Sequence, residues 1–175
     1  MNEMIHIRDE AQADAPHIQN IHERAFGGQY ESRLVDMLRE AGHIVLSIVA
    51  SVGDEIVGNV ILSPATIEPR VQHSRWLGLG PIGVLPEHQG RGIGSLLVKT
   101  GLERCQSMGY DGVILLGSPA YYSRFGFVRA SKQGLTSEYG DGPAFQVIEL
   151  REDALAEAEG KMVYSPEFKD AETER

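Results

Sequence analysis

Apolar residues recur at helical spacing in the N-terminal part of the chain and alternate beyond Gly42. Ile18, Ile21, His22 and Ala25 follow Asp14 and Pro16 at intervals of three or four, which predicts a helix capped by Asp14 with Pro16 in its first turn. Leu34, Val35 and Leu38 form a second stripe that stops at Gly42, a residue suited to ending a helix. A short strand near residues 5–8 precedes both helices, and the sequence FGGQ at 26–29 joins them. After Gly42 the period falls to two. Residues 44–52 and 56–67 then flank a Gly-Asp-Glu turn as an antiparallel hairpin.

A further strand is expected over residues 76–84 and a helix after it, because Ile93, Leu97, Gly101, Cys105 and Met108 recur every three or four positions up to a stop at Gly109. The continuous apolar run at 112–117 reads as a buried strand, so strand, helix and strand make a parallel crossover. A turn at 121–125, a strand near Phe127 and another over 144–150 complete the pattern. The fold class is therefore α/β with a mixed sheet, antiparallel at its start and with one parallel crossover in its middle. No repeat, low-complexity tract or linker divides the chain, which predicts a single domain over residues 1–168 and a charged tail over 169–175.

Composition narrows the function. With 42% hydrophobic and 23% charged residues in 175, the chain has the make-up of a globular domain with one core. A net charge of −9 argues against a nucleic-acid partner and weakly favours a cationic one such as an amine. There is no basic segment leading into an apolar run at the start and no apolar stretch approaching the roughly 18–20 residues of a membrane span, so a cytoplasmic protein without a membrane partner is expected. The single Cys105 has no partner for an internal disulfide and falls on the apolar stripe of its helix, where a packed, inert thiol is expected.

The candidate chemistry lies in VLPEHQGRGIGSLL, residues 84–97, with three glycines and one arginine between Gly90 and Gly94 and a helix directly after. A helix start offers unpaired N–H groups and a positive dipole end, and glycines remove the Cβ atoms that would hold an anion away. The loop suits a phosphate, with Arg91 adding charge; the plain alternative is a tight strand-to-helix turn that needs glycine only for its dihedrals. Neither a Walker loop nor the G-x-G-x-x-G fingerprint fits the spacing. Pro81, between glycines, removes a donor from a strand that should be central, a mark of a bulge or of close approach by a ligand.

These residues resemble the GNAT superfamily of acyl-CoA-dependent N-acetyltransferases, and within it a small bacterial YhbS-like branch. Gln89, Gly92 and Gly94 match the signature Q/R-x-x-G-x-G/A, and PAYYSRFGF at 119–127 is similar to the family's C-terminal motif, with Tyr122 five residues before Phe127. The resemblance covers nearly the whole chain. It implies a GNAT-like acyl-CoA N-acyltransferase fold, whose central mixed sheet is splayed and flanked by helices. It also implies acetyl-CoA as co-substrate, a diphosphate seat on Gln89, Gly90, Arg91, Gly92, Ile93 and Gly94, and pantetheine contacts from Ile82, Gly83 and Val84.

Acetyl transfer needs a neutral amine, a polarised thioester carbonyl and a proton for the departing thiolate. The resemblance implies a backbone N–H near Ile82 or Val84 as the polarising donor and Tyr122 as the acid; the alternative for Tyr122 is a core aromatic beside Tyr121, Phe125 and Phe127. The acceptor side is expected from the two N-terminal helices and the hairpin, with Glu23, Glu31, His22 and Asn59 as polar candidates for a base and none distinguished. The chain departs from the family in reading GSP at 117–119, where an asparagine is common, and in lacking an acidic residue on the strand at 76–84. The histidines at 6, 17, 22, 43, 73 and 88 show no ligand spacing, so no metal is expected; His88 is read as a solvated turn residue within reach of a phosphate. The expectation is an N-acetyltransferase acting on a primary amine of a small molecule, peptide or protein, as a monomer or homodimer. The rival readings are an acyl-CoA-binding sensor without turnover and a loop that binds another nucleotide.

Overall fold

A computed structural model describes residues 3–173. Along the chain lie β1 (Ile5–Asp9), α1 (Ala15–Phe26), α2 (Tyr30–Glu40), β2 (Leu46–Val52), β3 (Glu55–Glu68), β4 (Trp76–Val84), α3 (Ile93–Ser107) and β5 (Gly112–Leu116). They are followed by α4 (Pro119–Tyr122), β6 (Val128–Arg129), β7 (Leu135–Ser137), β8 (Phe145–Glu149), α5 (Ala154–Glu157), β9 (Gly160–Tyr164) and α6 (Glu167–Thr173). The described residues group into two compact units: 3–63, 80–101 and 166–173 form the first, and 64–79 and 102–165 the second. Both units are discontinuous in sequence, and β3 and β4 each run through both. No linker of the kind sought in the sequence divides them.

In the first unit β1 pairs antiparallel with β2, and β2 with β3 from Leu46↔Leu62 to Val52↔Glu55 with a register shift between Ala50 and Ser51. The helices cover this sheet because their apolar stripes are the ones the sequence shows. Ile18 of α1 and Leu34, Val35 and Leu38 of α2 are buried with Val49, Ile61 and Ala171. Each such aliphatic side chain contributes about 1.5–3 kcal/mol on leaving water. Asp14 does not cap α1 through its side chain. Its carboxylate instead takes the N–H of Ala11 at 2.7 Å and two bonds from Arg8, at 2.6 and 3.0 Å, because the guanidinium offers charged donors where a helix start offers only amides.

The stretch 169–175, expected as a charged tail, is helical in its described part. Residues 169–173 belong to α6, which buries Ala171 against α2 and is tied down by Tyr30 Oη donating to the Phe168 carbonyl at 3.1 Å and by His43 Nδ1 facing Glu167 Oε1 at 2.8 Å. Residues 174 and 175 lie outside the described residues. The small residue at 171 and the aromatic at 168 carry this docking, and two turns of helix are too short for periodicity to announce it.

In the second unit the pairing is mixed. β4 runs parallel to β5 through Trp76↔Gly112, Leu77↔Val113 and Gly78↔Ile114, β5 is antiparallel to β8, and β8 to β6. The far end of β3 pairs antiparallel with β9, which runs parallel to β7. The register of β4 with β5 covers only Trp76–Gly78, although β4 continues to Val84. Trp76 is buried and its Nε1 donates to Ser74 Oγ at 2.5 Å; a Cβ on Gly112 would lie 2.3 Å from its ring, so glycine there is a packing requirement. Trp76 is thus a core residue.

Candidate active site

The glycine loop lies in the first unit, between β4 and α3. A 3₁₀ turn, Pro86–His88, leaves the strand, and the chain enters α3 through Gly90 at φ 74° and Gly92 at φ 82°. Both angles belong to the left-handed region, so the glycines are required by the path of the chain. A Cβ at either would meet nothing within 4 Å, so the space beside the loop is open. The first turn-closing bond of α3 is from the N–H of Leu96 to the carbonyl of Gly92 at 3.1 Å, and the amides of Ile93 and Gly94 precede it, without partners in the helix. Arg91 is exposed. The result is a run of main chain at a helix start with unpaired amides and open space beside it, which suits an anion.

Gln89 has a second task that its signature position does not reveal. Its Nε2 donates to the carbonyl of Val84 at 3.0 Å, which clamps the loop to the end of β4. Its side chain therefore fastens the seat. Ile82, Gly83 and Val84 occupy the last part of β4, beyond the residues registered with β5, and Pro81 ahead of them has no N–H to donate. Gly83 is buried because α1 lies against it: a Cβ there would be 3.0 Å from His22 Nδ1 and 3.4 Å from Ala25 Cβ.

His22 and Asn59, two of four undistinguished candidates in the sequence, are brought together. Both are 0% exposed, and His22 Nε2 lies 2.8 Å from Asn59 Oδ1. Asn59 Nδ2 donates to the carbonyl of Ile48 at 3.0 Å and to Ser47 Oγ at 3.1 Å, which fixes the amide orientation. His22 Nδ1 is buried and has no hydrogen-bond partner. Burial lowers the basicity of this ring against a smaller opposing effect of Asn59. Glu23 instead faces Gln19 and Ser32 along the helices, at 3.1 and 3.3 Å, and Glu31 stands in the first turn of α2.

Tyr122 lies in the second unit, in α4, with its N–H donating to the Ser118 carbonyl at 3.0 Å. Its ring packs edge-on against Tyr121 at 4.9 Å and Phe127 at 5.9 Å, and a Cβ on Gly117 would sit 2.5 Å from it. Burial, with a smaller effect of the neighbouring Tyr121, pushes its hydroxyl up to about 12, so it holds its proton throughout the neutral range. The aromatic cluster and the acid are compatible roles: the ring is packed and the hydroxyl is kept protonated.

His88 departs from expectation. It is buried beneath the loop with Nε2 3.3 Å from Glu55 Oε2, because the 3₁₀ turn folds it inward against β3. Cys105 is fully buried, and burial pushes its thiol up to about 12. Among the described residues there is no group of three or more His, Cys, Asp or Glu placed to hold a metal, and no helix is long and apolar enough to cross a membrane.

Residues 6–130 match the acetyltransferase (GNAT) domain family. The chain belongs to the GNAT family. It is 37% identical over 164 residues to the uncharacterized N-acetyltransferase YhbS of Escherichia coli, covering 93% of this chain and 97% of that protein. The crystal structure of Escherichia coli YhbS in complex with CoA superposes with a TM-score of 0.91 at 35% identity, over 97% of this chain and 94% of that one. A GNAT family acetyltransferase from Brucella melitensis in complex with acetyl-CoA gives a TM-score of 0.79 at 34% identity, over 95% and 99% of the two chains. The fold is that of the family: an open mixed sheet flanked by helices.

Proposed function

We propose that the protein is an acetyl-CoA-dependent N-acetyltransferase that acts on a primary amine of a small molecule, peptide or protein by direct transfer in a ternary complex. The observation that carries this reading is the loop Gln89–Gly94, where two left-handed glycines, a helix start and an exposed arginine come together at the end of β4. Acetyl-CoA supplies an activated thioester. The amides of Gly90, Arg91, Gly92, Ile93 and Gly94 hold its diphosphate, and Arg91 adds a charged donor at the rim. Ile82, Gly83 and Val84 offer main-chain groups to the pantetheine as an added strand would, and an N–H near Ile82 or Val84 polarises the carbonyl.

The acceptor ammonium first loses one proton. Its nitrogen lone pair then attacks the carbonyl carbon; the carbon–nitrogen bond forms, the carbon–sulfur bond breaks, and the nitrogen sheds a second proton to become an amide. Tyr122 donates its hydroxyl proton to the leaving thiolate and is restored by that second proton. The only thiol of the chain is buried and far from a reactive protonation state, which supports direct transfer over an acetyl-cysteine.

Thiol release from acetyl-CoA in the presence of an amine panel tests the reading, alongside calorimetry with acetyl-CoA, CoA and ATP. Tight binding of the two CoA compounds, none of ATP, and amine-dependent thiol release are expected. CoA binding without release under any amine would make the protein a sensor, and ATP binding would overturn the cofactor assignment.

A further inference from the structure

We propose that His22 is the proton acceptor for the incoming amine and that Asn59 is the positioning residue that keeps its Nδ1 lone pair available; this rests on the acetyltransferase reading above. Asn59 Nδ2 faces the Ile48 carbonyl, which only accepts, so Asn59 Oδ1 must be the atom turned to the ring. Oδ1 accepts only, so the proton of a neutral His22 sits on Nε2 and Nδ1 carries the lone pair. The ring bonds to Asn59, stacks on Phe26 and lies against Gly83, three uncharged residues, and burial favours its neutral form.

Nδ1 is a buried acceptor without a donor, as are Ser63 Oγ and His88 Nδ1; its place beside the strand assigned above to the cofactor sets it apart. Nδ1 lies against Gly83, one of three strand residues assigned above to the thioester arm. The stacking partner of the ring, Phe26, is 48% exposed and precedes Gly27 and Gly28 at the end of α1. Because the ring is covered, the proton travels through one bridging water: the N–H bond of the acceptor ammonium breaks, the pair stays on its nitrogen, and the proton relayed by the water makes His22 an imidazolium that returns it to solvent.

The test uses the whole protein. Nitrogen-15 NMR of the histidine rings at pH 7 is expected to show His22 neutral with its proton on Nε2; a proton on Nδ1 overturns the proposal, and so does an unchanged tautomer in Asn59→Ala. Calorimetry is expected to give His22→Gln the acetyl-CoA affinity of the unmodified protein, whereas clearly weakened binding would assign His22 to the cofactor seat and overturn the role. Thiol release is then measured with ethylamine, which is protonated at pH 7, and with hydroxylamine, which is neutral there. His22→Gln is expected to lower ethylamine turnover by roughly 10²–10⁴-fold and hydroxylamine turnover by about threefold or less. Equal losses, or none, overturn the proposal. An unmodified protein that binds acetyl-CoA yet turns over neither amine overturns the acetyltransferase reading, and the base with it.

Discussion

Gly83 of β4 and His22 of α1 are packed so closely that a methyl group on the glycine would lie 3.0 Å from Nδ1 of the imidazole. That contact joins a strand assigned to the cofactor and a buried ring without a donor, and it explains why the strand carries glycine at a position whose dihedrals do not demand it.

Gly83→Ala is therefore expected to destabilise the protein by about 1–3 kcal/mol through overpacking, and to displace His22. A denaturant melt checks the first effect and the His22 ring resonances the second. Unchanged stability with unchanged resonances would mean that the strand and helix separate freely.

Tyr122→Phe should keep acetyl-CoA affinity, because the ring and its aromatic contacts remain, while turnover falls by roughly 10²–10⁴-fold for want of the acid. Calorimetry and thiol release on the same preparation separate the two. Unchanged turnover would leave Tyr122 a core aromatic.

Gly92→Ala puts no atom into a clash, since a Cβ there meets nothing, but φ of 82° costs an alanine about 1–2 kcal/mol. The loop should relax away from that angle and lose its grip on the diphosphate. CoA affinity is expected to drop while that of S-acetylpantetheine, which has no diphosphate, holds. A parallel loss of both would place the defect elsewhere.

Asp14 is held below the usual carboxylate range, first by its hydrogen bonds from Arg8 and then by the Ala11 amide, against the cost of its burial. A depressed folded value stabilises above the unfolded value of about 3.9 and is lost as pH falls through the folded one. Asp14→Asn should cost on the order of 1 kcal/mol at pH 7, discounted because Arg8 is half exposed, and progressively less below pH of about 4. Melting curves from pH 7 to acid check it.

Cys105 should resist a thiol reagent at pH 8 in the folded protein and react at once in denaturant, because burial suppresses the thiolate. Rapid labelling under native conditions would contradict its placement on the apolar face of α3.

Much of this architecture was legible because it rests on local chemistry. The strand over Trp76–Val84, the turn at Gly90 and Gly92 and the start of α3 at Ile93 lie where the sequence pattern puts them, since each is set by glycine dihedrals or by apolar periodicity. What escaped depends on distant partners. β7 and β9 are short strands that exist by pairing, β7 with β9 and β9 with β3, and α6 is two packed turns whose anchor, Ala171, is invisible to a periodicity argument. His88 turned inward because β3 offers Glu55. The same holds for the pair His22 and Asn59: they stand 37 residues apart, and only the packing of α1 on β3 singles them out among the polar candidates.

An amide NMR titration with acetyl-CoA tests most directly whether the loop Gln89–Gly94 and the end of β4 hold the cofactor. The largest shifts are expected on Gly90–Gly94 and on Ile82–Val84, with the Gly90–Gly94 shifts reproduced by CoA and absent with S-acetylpantetheine. Binding that leaves those amides unmoved, or that gathers its shifts at another part of the chain, would contradict that assignment.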